Sequence, residues 1–311
     1  MGHLGASVMT AGGDSIDWIG IDWGGSDWNV ADACAFAVSS DGTLIETAQA
    51  ENTADTDTAE ARITGLIGGW LPSGGRIPVI TCGGSDMPAR RLPCPPLEPD
   101  HLRQKRMAEP RIAFYPIPGL RQDRPADTVQ GAETRIAGYL AGHADFDGVL
   151  CLTGPRSTWA RISAGEVVGL VSFLTGEMFS LLAERSSLRA VVAKDAGHDG
   201  AAFGAALDDV LSRPERLAGV IAAIGQAATG QAAAGAARAR LSGALIGAEL
   251  AAARAWWLGQ AVAVIGGPET VPLYQAALAR QGISAPVADG RKMALAGLAR
   301  ARAVLRARPS T

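Results

Sequence analysis

The same local pattern occurs twice in this chain, and the two copies begin about 130 residues apart. In each copy an apolar strand ends in a glycine-containing turn, and a second strand follows. The first copy runs from Ile19 through a turn at 24–26 to Val38, and the second starts at 148–153 and turns at 154–157. Such a repeat predicts two α/β lobes with a cleft between them, which is a favoured place for a small ligand.

The first of these turns has a carboxylate at its entrance. Asp22 ends the strand, and Gly24, Gly25 and Ser26 follow it. Glycines let backbone N–H groups approach phosphate oxygens, and an aspartate can hold Mg²⁺ or its water shell. The segment therefore indicates a metal–nucleotide site, although an ordinary hairpin with an aspartate in its turn fits the same residues.

The remaining pattern divides the chain into a short tail and two lobes. Residues 1–15 are rich in Gly and Ala and are expected to form a loose tail, and the predicted lobes are 16–145 and 146–311. The first lobe opens with the order strand, strand, strand, helix, strand. A helix is predicted at about 128–141 near the end of the first lobe, and another at 291–306 closes the second.

Composition excludes several classes of protein. The net charge of −3, with charged residues at 19%, argues against nucleic-acid binding. The four cysteines lack Cys-x-x-Cys spacing and the histidines are dispersed, which argues against a zinc site or a disulfide framework. No uncharged apolar run reaches the roughly 20 residues that span a bilayer, and the first residues do not resemble a secretory leader. We therefore expect a cytoplasmic protein that does not bind membranes.

Five segments of the chain carry distinctive motifs: 22–24 (Asp-Trp-Gly), 117–134 (Ile-Pro-Gly-Leu, then Asp-Thr-Val-Gln-Gly-Ala-Glu-Thr), 153–159 (Thr-Gly-Pro-Arg-Ser-Thr-Trp), 173–179 (Phe-Leu-Thr-Gly-Glu-Met-Phe) and 242–249 (Ser-Gly-Ala-Leu-Ile-Gly-Ala-Glu). In order and in spacing, these segments resemble motifs of the 2-dehydro-3-deoxygalactonokinases, which belong to the sugar kinase and actin superfamily. The resemblance extends over roughly residues 17–305.

This resemblance implies a ribonuclease H-like (actin-like ATPase) fold with the sugar on the first lobe and the nucleotide on the second. It also implies ATP-dependent phosphorylation of 2-dehydro-3-deoxy-D-galactonate, or a related keto-deoxy sugar acid, at its terminal hydroxyl, with Mg²⁺. Asp127 and Glu133 are the two candidates for the catalytic base, and the sequence does not rank them. The implied nucleotide, metal and substrate contacts are Asp22 (also the metal ligand), Gly24, Gly25, Ser26, Gly154, Arg156, Ser157, Gly266 and Gly267 on the nucleotide side, and Gly84, Ser85, Thr175, Gly176 and Glu177 on the substrate side.

Several charged positions depart from the family pattern. Arg156 and Thr158 stand where the family carries His and Lys, Gln130 stands where it carries Arg, and Ala132 replaces the first Glu of a pair. Losing a lysine beside phosphates removes a strong attraction, which Arg156 is placed to replace. Two alternatives follow: a kinase with a shifted substrate, or a catalytically degenerate paralogue that still binds a sugar or a nucleotide.

Two further features have competing interpretations. Arg90 and Arg91, within a Pro- and Arg-rich loop at 86–111, are suited to a substrate carboxylate, and a solvated basic loop fits equally. Trp256 and Trp257 indicate either core packing or a contact in a homodimer.

Overall fold

The computed structural model describes residues 8–9, 15–24, 33–50, 58–84, 86–192, 197–226 and 231–308. Gly25, Ser26 and Ser85, named above as site residues, lie outside these ranges. The strands are β1 (Val8–Met9), β2 (Ser15–Ile16), β3 (Trp18–Asp22), β4 (Ala33–Val38), β5 (Leu44–Ala50), β6 (Ile77–Cys82), β7 (Arg90–Arg91), β8 (Ile112–Pro116), β9 (Leu120–Asp123), β10 (Ala126–Val129), β11 (Gly148–Leu152), β12 (Ser157–Ser163), β13 (Glu166–Phe173), β14 (Val262–Gly266) and β15 (Val287–Asp289). The helices are α1 (Ala59–Ile67), α2 (Ala132–Gly142), α3 (Thr175–Arg185), α4 (Gly200–Ser212), α5 (Leu217–Ile224), α6 (Gln231–Ala252), α7 (Arg254–Trp257), α8 (Val271–Ala279) and α9 (Gly290–Arg306).

Two five-stranded sheets have the same topology. The first has the order β5-β4-β3-β6-β8 and the second β13-β12-β11-β14-β15. In each, the first three strands along the chain form an antiparallel meander, and the last two add in parallel beside the first. The central strands β3, β6, β11 and β14 are buried along their whole length, as expected for strands covered on both faces. The predicted repeat of two α/β lobes is confirmed.

Helices cover both faces of each sheet, and two of them pack between the sheets. In the first sheet, α1 covers one face and α9 the other, where Leu298 and Ala301 lie beside Trp18 and Ile80. In the second sheet, α2 covers the inner face, and α3, α4, α6 and α8 form the core on the outer face. The carboxyl-terminal helix α9 therefore packs against the first sheet, and α2 packs against the second. The division into 16–145 and 146–311 stays a prediction.

The helices α2 and α9 approach each other at two glycines. A Cβ on Gly297 would lie 2.0 Å from the carbonyl oxygen of Thr134, and a Cβ on Gly138 would lie 2.0 Å from that of Met293. Both obstacles are backbone atoms, so a side-chain rotation cannot relieve the overlap. The small residues set the separation of the two helices and, through them, of the two sheets.

Replacing Gly297 by Ala is expected to lower the free energy of unfolding by about 1–3 kcal/mol or more, because the added methyl group forces the two helices apart. Gly142→Ala is the matched control, since a Cβ at that position of α2 meets nothing within 4 Å. The control should be neutral or slightly stabilising, as alanine is the better helix former. Urea unfolding monitored by circular dichroism measures both changes, and equal stability of the two variants would contradict this account of the crossing.

The helix predicted at about 128–141 begins later than expected. Residues 126–129 form β10, which pairs antiparallel with β9, and α2 starts at Ala132. The prediction was wrong at this end because the partner strand lies only a few residues upstream and pairs with these residues before the helix can begin. Strands β10, β9 and β7 form a small third sheet. Gln122 on β9 joins this sheet to the second large sheet through two hydrogen bonds with the backbone of Leu170, at 2.7 and 2.9 Å.

Candidate active site

Gly24, the described residue of the first turn, and the second turn line one cavity between the lobes. The turns follow β3 and β11, the central strands of the two sheets, and ligands in open α/β sheets bind outside the carboxyl ends of such strands. The cavity has a volume of about 360 Å³. Its lining comprises Gly24 after β3, then Thr128, Val129, Gln130, Ala132 and Arg135 from β10, α2 and the residues between them, and Leu152, Thr153, Pro155, Arg156 and Thr158 from the second turn and its flanking residues. The predicted cleft between the lobes is therefore present, and both turns contribute to it.

A buried ion pair lies at the first turn. Asp22, at the end of β3, is 2% exposed, and its Oδ2 accepts a hydrogen bond at 2.6 Å from the guanidinium of Arg135 on α2. Oδ1 accepts the N–H of Gly24 at 3.0 Å and lies 3.4 Å from the Sγ of Cys82. Arg135 also donates to the carbonyl of Gly24. The pair thus fixes the first turn to α2, and its arginine lines the cavity.

The carboxyl group of Glu133, in the first turn of α2, is fully buried. Its side chain has no exposed surface, and Oε1 accepts the N–H of Gly131 at 3.0 Å and the hydroxyl of Thr134 at 3.1 Å. Oε2 is buried without a hydrogen-bond partner among the described residues. Loss of solvation by burial raises the pKa of Glu133 from 4.5 to about 7, against the opposing effect of its hydrogen bonds. Glu133 therefore shapes the turn that precedes α2.

The raised pKa of Glu133 predicts a pH dependence of stability. Because the folded protein binds this proton more tightly than the unfolded chain, its stabilising effect is complete below pH 4.5 and is lost as the pH rises toward 7. The loss in the free energy of unfolding is on the order of 3 kcal/mol. We expect Glu133→Gln, which cannot ionise, to lack this component. Urea unfolding of both proteins between pH 4.5 and 8 measures the difference, and parallel stability curves would contradict the assignment.

Asp127 lies on β10, opposite the second turn. Its carboxylate is 3.6 Å from the guanidinium of Arg156, and the two side chains are 11% and 50% exposed. Arg156 lines the cavity, so the pair joins the small third sheet to the second turn at the cavity wall. Thr158, where the family carries a lysine, also lines the cavity, and its hydroxyl lies 3.1 Å from that of Ser172. Arg156 is thus the cation that the second turn presents to the cavity.

The second turn packs closely on the end of β14. A Cβ on Gly266 would lie 1.8 Å from Oγ1 of Thr153, so only glycine allows this approach. The Thr153 hydroxyl is also 2.6 Å from that of Thr270, just before α8. Gly154 and Gly267 are buried beside this contact. An adenosine contact at Gly266 and Gly267 stays a prediction.

The other predicted site residues lie around the cavity rather than in its wall. Thr175 and Gly176 are buried behind the second turn, and the N–H of Glu177 donates to the carbonyl of Pro155 at 2.8 Å, while the Glu177 side chain is exposed. Ser157 points into the core, toward Glu249. Gly84 lies beside Trp23. Direct ligand contacts by these residues stay predictions.

Two residues that the sequence argument missed are central to this region. Arg135 follows the quoted motif by one position, and Glu249 is the last residue of another, but neither was assigned a role. The available sequence signal for Glu249 was a glutamate at the end of an otherwise uncharged motif, 242–249. No sequence signal pointed to Arg135, because its partner Asp22 is 113 residues away in the chain.

Within the arginine-rich loop, Arg90 has a different role from both interpretations given above, whereas Arg91 is solvated. Arg90 is 6% exposed, and its guanidinium donates to the carbonyl oxygens of Pro95, at 2.6 Å, and Pro96, at 2.5 Å. It therefore holds the loop together. Arg91 is exposed and pairs with Asp123 at 2.7 Å. Trp257 is buried and donates to the carbonyl of Leu250, as expected for core packing.

Duplicated sheets, a cleft between them and turns at the ends of the central strands define a two-lobe ribonuclease H-like protein of the actin-like ATPase class. The chain matches the 2-keto-3-deoxy-galactonokinase family over residues 22–301. It therefore belongs to this family, as the five motifs predicted.

Two relatives support this assignment. A Rhizobium meliloti (strain 1021) protein named a probable 2-dehydro-3-deoxygalactonokinase is 32% identical over 197 residues, which cover 60% of this chain and 64% of the relative. The chain thus matches slightly less than two thirds of that relative's length. The crystal structure of a Sinorhizobium meliloti protein assigned as a 2-dehydro-3-deoxygalactonokinase superposes with a TM-score of 0.78 at 25% identity, over 94% of this chain and 100% of that one.

Proposed function

We propose that this chain is an ATP-dependent kinase that phosphorylates 2-dehydro-3-deoxy-D-galactonate, or a related keto-deoxy sugar acid, at its terminal hydroxyl. The observation that carries the proposal is the cavity between the lobes, which is lined by Gly24 of the first turn and by Pro155 and Arg156 of the second. Membership of the family supports the substrate class. None of the helices in the described ranges is long and apolar enough to cross a membrane. A cytoplasmic location and a homodimer remain part of the proposal.

Phosphoryl transfer requires positioning and charge stabilisation more than covalent chemistry by the protein. In the proposed reaction the sugar hydroxyl oxygen forms a bond to the γ-phosphorus, the bond from that phosphorus to the bridging oxygen of ADP breaks, and a carboxylate accepts the hydroxyl proton. Arg156 supplies positive charge beside the transferred group, and the N-terminal turn of α2 opens on the same cavity at Ala132.

Asp127 is the better candidate for the base. A general base must reach the hydroxyl that it deprotonates. Asp127 retains some exposed surface and pairs with Arg156, which lines the cavity, whereas Glu133 has no exposed surface. We therefore assign Asp127 as the base and Glu133 as a residue that shapes the turn before α2.

The residues at the first turn fit a magnesium ion carried by the nucleotide. Proteins hold such an ion with one or two carboxylates together with phosphate oxygens and water. Asp22 offers Oδ2, which accepts one hydrogen bond from the described residues, that of Arg135. No cluster of three or more His, Cys, Asp or Glu suited to a metal occurs in the described part of the chain. When bound, the ion would neutralise phosphate charge.

The test is ADP release, measured by a coupled assay, with a panel of keto-deoxy sugar acids and hexoses. The proposal expects turnover with one or more of the sugar acids and none with the hexoses. A degenerate paralogue would instead show thermal stabilisation by a sugar acid or by ADP without turnover. That result, or no ADP release with any member of the panel at high enzyme concentration, would refute the kinase assignment.

A further inference from the structure

The side chain of Glu249, in the core of the second lobe, accepts four hydrogen bonds from donors on three surrounding elements. The residue is on α6 and is 3% exposed. Its Oε2 accepts the hydroxyls of Ser157 and Tyr274, each at 2.7 Å, and that of Thr175. Its Oε1 accepts Nε1–H of Trp159 at 2.8 Å. These donors come from β12, α3 and α8.

The Glu249 carboxyl group has no cationic partner among the residues that the structure describes. Burial raises its pKa, and its four hydrogen bonds lower it. Burial of such a group is costly unless hydrogen bonds replace its water, and four donors match the acceptor capacity of a carboxylate. A glutamine has one accepting oxygen, so its NH2 group faces either the three hydroxyls or the indole N–H of Trp159, and at least one of the four donors loses its acceptor.

The donors flank the second turn. Ser157 is the first residue of β12 and follows Arg156 directly, and Thr175 is the first residue of α3. In the next residues of α3, the N–H of Glu177 donates to the carbonyl of Pro155 within the turn. The Glu249 carboxyl group therefore links the end of the second turn, at Ser157, to the start of α3, at Thr175.

From this geometry we infer that Glu249 is a positioning residue for the second turn: it holds Pro155 and Arg156 at the cavity wall so that the turn is ready for a nucleotide phosphate. The inference rests on the proposed function, because it assigns that turn to the nucleotide. Glu249 itself does not line the cavity and acts through Ser157 and Thr175.

The test compares Glu249→Gln with the control Ile224→Ala, which removes buried apolar volume from α5 in the same core cluster and has no hydrogen-bonding side-chain atom to lose. We expect Glu249→Gln to raise KM for ATP and Kd for ADP about tenfold or more, because small misplacements of a binding loop are costly, and to leave KM for the sugar acid within about twofold. The control should lower Tm and leave both KM values unchanged. Tyr274→Phe removes one donor and keeps the ring, so it provides the same measurement if Glu249→Gln does not fold.

The outcomes separate this inference from the proposed function. If Glu249→Gln, or Tyr274→Phe in its place, lowers Tm and binds ADP like the wild type, the carboxylate is only structural and the inference is wrong. If both substrates lose affinity equally, the effect is a general one on the fold, and the inference is again wrong. A wild-type chain that neither binds ADP by calorimetry nor turns over overturns the proposed function instead.

Discussion

Replacing Asp127 by Asn is expected to lower kcat by about 10²- to 10⁴-fold while KM for ATP and for the sugar acid changes little. The substitution keeps the size of the side chain and removes only its capacity to accept a proton from the sugar hydroxyl. The 3.6 Å contact with Arg156 weakens at the same time, since the amide is neutral. Steady-state kinetics with each substrate varied in turn measures kcat and both KM values, and the midpoint of thermal unfolding checks that the variant is folded.

Glu133→Gln is the matched comparison, because both carboxylates occur in the same motif and both substitutions are isosteric. The side chain of Glu133 is fully buried, so Glu133→Gln should retain most of the turnover. It should differ from the wild type mainly in the pH dependence of its stability. If Glu133→Gln loses turnover and Asp127→Asn keeps it, the base is Glu133. If neither substitution affects kcat, a carboxylate base in this motif is excluded.

The repeated sheets and the cleft could be predicted from the sequence because their signals are local. Apolar strands such as 148–152 end at glycine-containing turns, and in each lobe the next strand along the chain is the antiparallel partner. The same kind of local pattern misplaced the start of α2, since the pairing of β9 with β10 competes with the helix over the same residues.

The charges of the site could not be predicted in the same way. Asp22 meets Arg135 only because α2 packs under the first turn, and Glu249 meets Ser157 across 92 residues of sequence. Such pairings depend on how helices are placed against sheets, which periodicity does not specify. Arg156 lies in the cavity wall because the second turn itself carries it, and its contact with a nucleotide phosphate stays a prediction. Its contact with Asp127 became visible only with the third sheet in place.

Removing the arginine from the buried pair at the first turn should have the largest effect on stability. Arg135→Met is expected to lower the free energy of unfolding by about 3–5 kcal/mol, because the Asp22 carboxylate is then left buried without its cation. Arg135 is 7% exposed and Asp22 is 2% exposed, so water does not replace the lost partner. Urea unfolding at constant pH measures the change. The exposed pair Arg280–Asp208 supplies the control, and Arg280→Met should change stability little.

A double variant separates the charge effect from lost packing. Asp22→Asn in the background of Arg135→Met removes the isolated charge, so we expect it to recover part of the lost stability, since replacing both members of a buried pair costs less than removing one. The Asn side chain can still accept the N–H of Gly24, which Oδ1 accepts at 3.0 Å in the native turn. The recovered stability should not bring back activity, because both the carboxylate proposed for Mg²⁺ and the cation beside it are gone. A double variant no more stable than Arg135→Met would mean that Arg135 acts through its contact with Gly24 and its packing, and that the charge on Asp22 contributes little to the folded state.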